Sequence, residues 1–336
     1  MPDSGLYPGT ASERDRFVLE RRGPRLRHDP WHYQGLIVED ERTAHGHRGR
    51  MATVLLTGRE CPWRCAMCDL WAYTTISDTP VGAIPAQVAA ARSALRDGPI
   101  PVAGMKLYNA GSFFDTRAVP EADYDGVAEA LTGLSRVIVE SHPALVGRCV
   151  DRFLEALDRH RASEELSAQL EVAMGLETAH PDALERLNKR FTLGRFAEAA
   201  RALDDRGVAL RVFLLISPPF ISSHEQDAWL LHSIDAAFSC GASVVSLVPT
   251  RPGNGAIDAL ATSGSFRAPD LEDIERSFAL ALRHAGGRGR VFVDLWDLER
   301  FAQCPHCTAA RRDRLQAMNL EQRVLPERPC PGGDHG

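Results

Sequence analysis

The sequence predicts an α/β fold, a partial parallel (β/α)6 barrel of the TIM type with an N-terminal extension and a cysteine-containing C-terminal extension. Three observations lead to this prediction. Short apolar runs alternate with longer helical patterns from residue 52 to about 300, six or seven times. Strand–helix repetition of this kind favours parallel strands joined by right-handed crossovers. The length of 336 residues, with 44% hydrophobic residues, suits a barrel that fills one large domain.

The barrel is expected to span 51–300, between extensions at 1–50 and 301–336. The first fifty residues are mixed in charge and rich in Arg, His and Gly, and we expect little regular structure there. The candidate strands cover 52–57, 102–109, 136–140, 170–176, 209–216 and 243–248, and a seventh covers 290–295. The candidate helices cover 85–97, 121–133, 144–161, 181–188, 195–206, 224–239 and 270–284, and an amphipathic helix follows in the last segment.

Composition narrows the class of protein. The net charge of −6 gives no electrostatic reason to expect unaided nucleic-acid binding. The N-terminal residues are polar, unlike a signal peptide, and no apolar run approaches bilayer-spanning length. We therefore expect a cytoplasmic protein, in which clustered cysteines are metal ligands more often than disulfides. Among 39 basic residues only Lys106 and Lys189 are lysines, which draws attention to both.

A three-cysteine loop follows the first predicted strand. Cys61, Cys65 and Cys68 have the spacing C-x3-C-x2-C. Three closely spaced thiolates can hold three irons of a four-iron, four-sulfur (4Fe-4S) cluster. The fourth iron is then open to a small molecule, which turns an electron carrier into a catalyst. Zinc is the competing metal, although a C-x2-C pair usually needs a second pair or histidines to complete a zinc site.

This loop resembles the cluster loop of the radical S-adenosylmethionine (SAM) enzymes. The resemblance implies that the amine and carboxylate of SAM bind the open iron, and that a reduced cluster cleaves SAM to a 5′-deoxyadenosyl radical. The radical then abstracts hydrogen from a substrate. It also implies an enzyme of the iron–sulfur oxidoreductase or lyase type, with an electron donor such as ferredoxin or flavodoxin.

The resemblance assigns SAM contacts to the carboxyl ends of several predicted strands. Gly111 and Ser112 follow the second strand, where radical SAM enzymes carry a glycine-rich turn, although the usual second glycine and glutamate are replaced here by Ser112 and Phe113. Glu140 and Glu177 end the third and fourth strands, and the resemblance implies that they contact the ribose or amine of SAM. Each glutamate could equally pair with a loop arginine.

Two later segments complete the predicted SAM site. Lys189 and Arg190 form a cationic pair that could bind the SAM carboxylate, or could be a solvated helix end, where cations are favoured. Val248 lies in the sixth strand, which resembles an adenine-contacting strand of these enzymes. In radical SAM barrels, as in other barrels, such residues belong to the end where chemistry occurs.

The order of these motifs resembles one branch of the radical SAM enzymes over residues 50–330. The branch includes the catalytic subunit of the elongator complex and the radical SAM partner of archaeosine synthesis. The resemblance implies a substrate such as a modified nucleoside in tRNA, handled together with a partner protein. An amine-bearing small molecule is the other substrate class, by analogy with the lysine adduct of archaeosine synthesis.

A second set of cysteines lies near the C-terminus. Cys304, Cys307 and Cys330 combine a C-x2-C pair with a distant third thiol, and His306 or His335 could add a fourth ligand. This pattern favours a structural zinc over an auxiliary iron–sulfur cluster. If zinc filled both cysteine sets, the chain would instead be a non-catalytic, zinc-stabilised binding protein on a degenerate barrel.

Overall fold

A curved eight-stranded sheet forms the frame of the protein in the computed structural model. The structure describes residues 7–96, 101–109, 111–161 and 168–327. The strands lie side by side in chain order, and all neighbouring pairs after the first are parallel. The partial parallel barrel predicted from the sequence is therefore confirmed. Because the parallel strands all run in one direction, their carboxyl ends meet at a single edge, where the site residues gather.

The bounds of the elements follow the predicted ones closely. The strands are β1 (Gly35–Arg42), β2 (Arg48–Leu56), β3 (Gly104–Asn109), β4 (Arg136–Glu140), β5 (Gln169–Glu177), β6 (Ala209–Ile216), β7 (Ala242–Pro249) and β8 (Arg290–Val293). The helices are α1 (Ala11–Glu20), α2 (Ala83–Arg96), α3 (Tyr124–Ala130), α4 (Arg148–Arg159), α5 (Pro181–Arg186), α6 (Leu193–Asp204), α7 (Gln226–Ser239), α8 (Ala256–Thr262), α9 (Leu271–Ala285) and α10 (Thr308–Glu321).

The N-terminal extension is more ordered than the sequence predicts. It contains α1, which begins at a capping box between Thr10 and Glu13, and β1, which pairs antiparallel with β2. The expectation of little regular structure in the first fifty residues was wrong. It failed because the inward-facing side chains of β1 are glutamates, and their partners come from strands far along the chain.

Those partners form a charged layer on the concave face of the sheet, toward the amino ends of the parallel strands. Glu41 of β1 accepts from Lys106 of β3 at 2.8 Å and from Arg211 of β6 at 2.7 Å. Arg211 also donates to Glu171 at 2.6 Å, and Arg136 bridges the same two glutamates. Burial alone would raise the pKa of Glu41, but the surrounding cations hold it well below its usual range. These mutually satisfied charges close the end of the barrel opposite the site.

Above this layer the barrel interior is apolar, and it becomes polar again at the carboxyl ends of the strands. The apolar layer consists of Met51, Ile138 and Ala173, with Tyr108 and Phe213 against them. The outer face of the sheet packs its aliphatic side chains against the helices and forms the main hydrophobic core. The two-residue period of the strands separates the two faces.

The C-terminal segment covers the end of the sheet. Helix α10 packs on both β1 and β8, and Asn319 exchanges two hydrogen bonds of 2.9 Å with the backbone of Val293. At the same place Arg290 of β8 donates to the carbonyl of Arg42 in β1. Helix α10 and the Arg290 side chain thereby connect the two edge strands, β1 and β8, which do not pair with each other. No helix among the described residues has the length and apolar character needed to cross a bilayer.

Candidate active site

The three cysteines lie in the loop that leaves β2, the first of the parallel strands. Cys68 donates its backbone N–H to the carbonyl of Cys65 at 3.2 Å, which closes a tight turn between these two residues. The pKa of each of the three thiols is raised to about 12, mainly by burial and in part by one of the other two thiols. The thiols are therefore close together and protonated at neutral pH without a metal, and each of the three cysteines is half-buried.

The donor set fits a 4Fe-4S cluster better than a single ion. Within the described ranges, no three His, Cys, Asp or Glu side chains converge closely enough to hold one metal ion. A cubane does not require such convergence, because each of its cysteines binds a different iron. The site also holds buried polar atoms that lack hydrogen-bond partners among the described residues, namely both side-chain atoms of Asn109 at the end of β3. Asn109 lies directly before the turn that contains Gly111.

A buried ion pair lies beside the cysteine loop. Lys189 Nζ donates to Glu177 Oε1 at 2.8 Å, and the two side chains are only 10% and 8% exposed. Burial by itself would lower the pKa of Lys189, but the Glu177 carboxylate raises it overall, so the lysine stays charged. Lys189 also lowers the pKa of the Cys65 thiol, which places its ammonium near the metal ligands. The pair brings one cation and one carboxylate to the cluster loop.

The backbone turns around this pair explain which way each side chain points. Asn188 and Arg190 both have left-handed φ values, 62° and 63°, on either side of Lys189. Lys189 points inward to Glu177, whereas Arg190 points outward and donates to Asp15 of α1 at 2.7 Å. The two cations predicted to act together are therefore separated. The SAM contact of Arg190 stays a prediction, and its guanidinium is already engaged by the N-terminal segment.

Glu140, at the end of β4, is a carboxyl with a raised pKa. Burial raises its pKa from 4.5 to about 8, and Glu177 adds to the effect, while the backbone N–H of Asn109 and the ammonium of Lys189 oppose it. Glu140 and Glu177 thus share one corner of the site, as their matching strand ends predicted. A neutral carboxyl at this position can both donate to and accept from a hydroxyl-bearing ligand.

The turn after β3 has no space for a larger residue at Gly111. A Cβ atom there would lie 2.8 Å from the carbonyl oxygen of Arg59 and 2.9 Å from Cβ of Ala118. The neighbouring Ser112 is buried, and its hydroxyl accepts the backbone N–H of His142 at 2.5 Å. This bond ties the β3 turn to the β4 turn. The predicted SAM contacts of Gly111 and Ser112 remain predictions, with the backbone of the turn in a fixed position.

Val248 lies near the carboxyl end of β7, two residues after Ser246. Ser246 accepts a hydrogen bond from Arg211 in the barrel interior, at 3.2 Å. Because strand side chains alternate with a period of two, Val248 lies on the same concave face, nearer the site. This placement is compatible with the predicted contact to adenine, which stays a prediction.

His142 is a site residue that the sequence did not single out. Its ring stacks on Trp63 of the cysteine loop, with 3.6 Å between ring centroids and 13° between planes. Nε2 donates to the carbonyl of Lys189 at 2.9 Å, and Nδ1 accepts from Ala144. Burial and the charge of Lys189 lower its pKa to about 3, so the ring is neutral. Its position two residues after Glu140, beyond the end of β4, was the one available signal.

The C-terminal cysteines are only partly within the described residues. Cys304 and Cys307 are buried in the turn before α10, where the Cys307 thiol donates to the Cys304 carbonyl at 3.9 Å. His306 between them is exposed. Cys330 and His335 lie outside the described residues. The zinc site predicted from this spacing therefore stays a prediction.

Comparison with known proteins finds curated relatives at low sequence identity. No family model matches the chain. The archaeosine synthase subunit beta of Methanosarcina acetivorans is 28% identical over 242 residues, 68% of this chain and 66% of that protein. The archaeosine synthase subunit beta of Thermococcus kodakarensis is 28% identical over 138 residues, 38% of each chain. The chain thus spans less than two thirds of either relative.

A solved structure shares the fold at low sequence identity. An N-terminally deleted Elp3 from the archaeon Methanocaldococcus infernus superposes with a TM-score of 0.54 and 12% identity, over 80% of this chain and 63% of that one. At this identity the superposition shows the fold alone. With the curated relatives, it confirms the resemblance to the archaeosine-synthesis and elongator branch that the motif order predicted.

Proposed function

We propose that this chain is a radical SAM enzyme in which Cys61, Cys65 and Cys68 hold a 4Fe-4S cluster. The observation that carries the proposal is the three-thiol loop at the carboxyl end of the first parallel strand, with the Glu177–Lys189 ion pair beside it. When bound and reduced, the cluster would supply the electron that cleaves SAM into methionine and a hydrogen-abstracting 5′-deoxyadenosyl radical. The fold shared with Elp3 supports this assignment.

The chain's own residues would bind and orient the cofactor. Lys189 supplies an ammonium for a carboxylate, and Glu177 balances that charge when the site is empty. Glu140 supplies a carboxyl for ribose hydroxyls or an ammonium group, and a bound cation would lower its raised pKa. The Gly111 turn offers backbone groups at close range, since no Cβ blocks them. Trp63 and His142 cover the loop from one side and limit access of water.

We further propose a substrate class and two kinds of partner. Two of the curated relatives are called archaeosine synthase subunit beta, a name that indicates nucleoside chemistry and an assembly with another subunit. A modified nucleoside in tRNA is therefore the favoured substrate. The net charge of −6 is compatible with a separate partner that binds the RNA. An amine-bearing small molecule is the second substrate class, and a ferredoxin or flavodoxin would be the electron donor.

Anaerobic reconstitution with iron and sulfide tests the proposed chemistry. The wild-type protein is expected to turn brown, to hold about four irons per chain and to form 5′-deoxyadenosine when SAM and a reductant are added. Cys65→Ser is the matched control, because it removes one ligand with a nearly isosteric side chain. A colourless protein that holds zinc and forms no 5′-deoxyadenosine would contradict the proposal and favour the non-catalytic zinc protein.

The substrate classes are separated by the same assay. Radical SAM turnover without substrate is expected to be slow, so the true substrate should increase 5′-deoxyadenosine formation. Total tRNA, with and without candidate partner proteins, is compared with lysine and other small amines. Stimulation by small amines alone would overturn the tRNA assignment while leaving the radical chemistry in place.

A further inference from the structure

Two buried asparagines donate hydrogen bonds to the backbone of the cysteine loop at different points. Alternate carbonyls of the loop, those of Arg64, Ala66 and Cys68, accept hydrogen bonds from asparagine side chains. The donors come from distant parts of the chain, Asn188 after α5 and Asn254 after β7. Neither asparagine has a role in the chemistry described above.

Asn188 fixes the first part of the loop. It is 1% exposed, and its Nδ2 donates to the carbonyl of Arg64 at 2.8 Å and to Oδ1 of Asp15 at 2.8 Å. The residue before it contributes a second link, since Ala66 donates its backbone N–H to the carbonyl of Leu187 at 3.0 Å. The left-handed backbone at Asn188, with φ of 62°, suits an asparagine better than most residues.

Asn254 fixes the second part of the loop. It is 5% exposed, and its Nδ2 donates to the carbonyls of Ala66 at 2.6 Å and Cys68 at 3.3 Å. Its Oδ1 accepts the backbone N–H of Ile257 at 2.7 Å and so anchors the amide to the first turn of α8. The loop is thereby connected to the far side of the barrel.

The N-terminal segment holds the end of α5 in place, and with it Asn188. Helix ends leave carbonyls without partners inside the helix. Here the carbonyl of Glu185 accepts from Arg14 at 2.8 Å, and that of Arg186 accepts from the hydroxyl of Tyr7 at 2.5 Å. Arg14 is almost fully buried, which makes its bonds strong structural links. The ordered N-terminal extension therefore supports the position from which Asn188 reaches the cysteine loop.

We infer that Asn188 and Asn254 are positioning residues that set the backbone of the cysteine loop before the cluster binds. The inference rests on the proposed function, because it concerns the ligands of the proposed cluster. A preformed loop does not have to be ordered when iron and sulfide arrive, so cluster affinity rises. Removing partners that orient metal ligands commonly lowers metal affinity by about 10–100-fold.

The test uses Asn254→Asp, with Asn319→Asp as a matched control. In both variants the aspartate can still accept the backbone N–H that the asparagine accepts, from Ile257 at position 254 and from Val293 at position 319. In both variants the side-chain N–H donor to a backbone carbonyl is lost. Asn254 and Asn319 are similarly buried, so the cost of burying the new carboxylate is similar. Asn188→Gly is a second variant, since glycine accepts the left-handed backbone and only the amide is lost.

Cluster loss to an iron chelator is measured in the reconstituted proteins under anaerobic conditions, together with the electron paramagnetic resonance (EPR) spectrum of the reduced cluster. Asn254→Asp and Asn188→Gly are expected to lose the cluster about tenfold faster than wild type and to change its spectrum. Asn319→Asp should match the wild type in both. Wild-type rates and spectra in both loop variants, or equal effects in Asn319→Asp, would overturn the inference.

Alkylation of the metal-free proteins separates this inference from the proposed function. Cys61, Cys65 and Cys68 should react with iodoacetamide faster in the two loop variants, while Cys149 and Cys240 react at the wild-type rate. If the wild type bound no cluster, the proposed function would fail, and the alkylation rates would still decide whether the asparagines hold the loop. Unchanged alkylation of the three loop thiols would then overturn the inference by itself.

Discussion

The Glu177–Lys189 pair gives the sharpest prediction about the site. Both side chains are at most 10% exposed, and the charged atoms lie 2.8 Å apart. Lys189→Met leaves the charge of the buried Glu177 carboxylate without a counter-ion. Glu177→Gln likewise leaves the charge of the Lys189 ammonium without its counter-ion. Removing one member of a buried pair commonly costs about 3–5 kcal/mol, because the remaining charge keeps its desolvation penalty. Each single variant is therefore expected to lose about that much free energy of unfolding.

The double variant distinguishes this cause from simple loss of packing. With both charges gone, no unpaired charge remains buried, so the double variant should lose much less than the sum of the single losses. Urea unfolding of the metal-free proteins, followed by circular dichroism, gives the four free energies of the cycle. Arg195→Met is the control, since the exposed Arg195–Glu198 pair should contribute less than about 1 kcal/mol.

The same variants test the proposed role of the ammonium. A charge-assisted hydrogen bond is worth about 1.5–3 kcal/mol, so Lys189→Met is expected to weaken SAM binding to the cluster-loaded protein by about tenfold or more. The reasoning would be refuted if Lys189→Met were no less stable than Arg195→Met, or if the losses in the cycle were additive.

Three further predictions concern other parts of the structure. The folded protein keeps the Glu140 proton up to about pH 8, whereas the unfolded chain releases it near pH 4.5. The thermal stability of the wild type, relative to that of Glu140→Gln, should therefore fall as the pH rises from about 4.5 to about 8, and should not fall further above pH 8. Gly111→Ala should cost about 1–3 kcal/mol in urea unfolding and weaken SAM binding, because its Cβ meets backbone, while Gly23→Ala, in open space, should change neither. Arg211→Met should cost about 3 kcal/mol, because it removes the buried cation that Glu41 and Glu171 share and leaves them only Lys106 and Arg136, with unchanged iron content on reconstitution.

Local patterns account for the parts of the fold that the sequence predicted. The strands β4 and β6 have the predicted bounds, because their apolar runs are bounded by polar or turn-forming residues and need no information from elsewhere. The strand β1 was missed because Glu39 and Glu41 face inward and read as solvent-exposed residues in the sequence. Their partners on β3 and β6 are brought close only by the curvature of the sheet. Helix α8 was missed as well, being only seven residues long and preceded by Gly255.

In the candidate site, as in the fold, features with a local sequence signal were predicted and features that depend on distant partners were not. The spacing of Cys61, Cys65 and Cys68 is a local signal, and it was sufficient to predict a metal loop. Glu177 and Lys189 were both predicted as site residues. Their pairing depends on the left-handed backbone on either side of Lys189, which could not be predicted from the sequence. The role of Asn254 could not be predicted, since its partners lie more than 180 residues away along the chain.

Low-temperature EPR of the reduced, reconstituted protein, recorded with and without SAM, tests the central claim most directly. An iron that no cysteine binds is free to take SAM as a ligand, and a ligand on the cluster changes its spectrum. We predict the signal of one 4Fe-4S cluster per chain, shifted when SAM is added and absent in Cys65→Ser. A spectrum that SAM leaves unchanged, or the lack of any cluster signal in the wild type, would contradict the account.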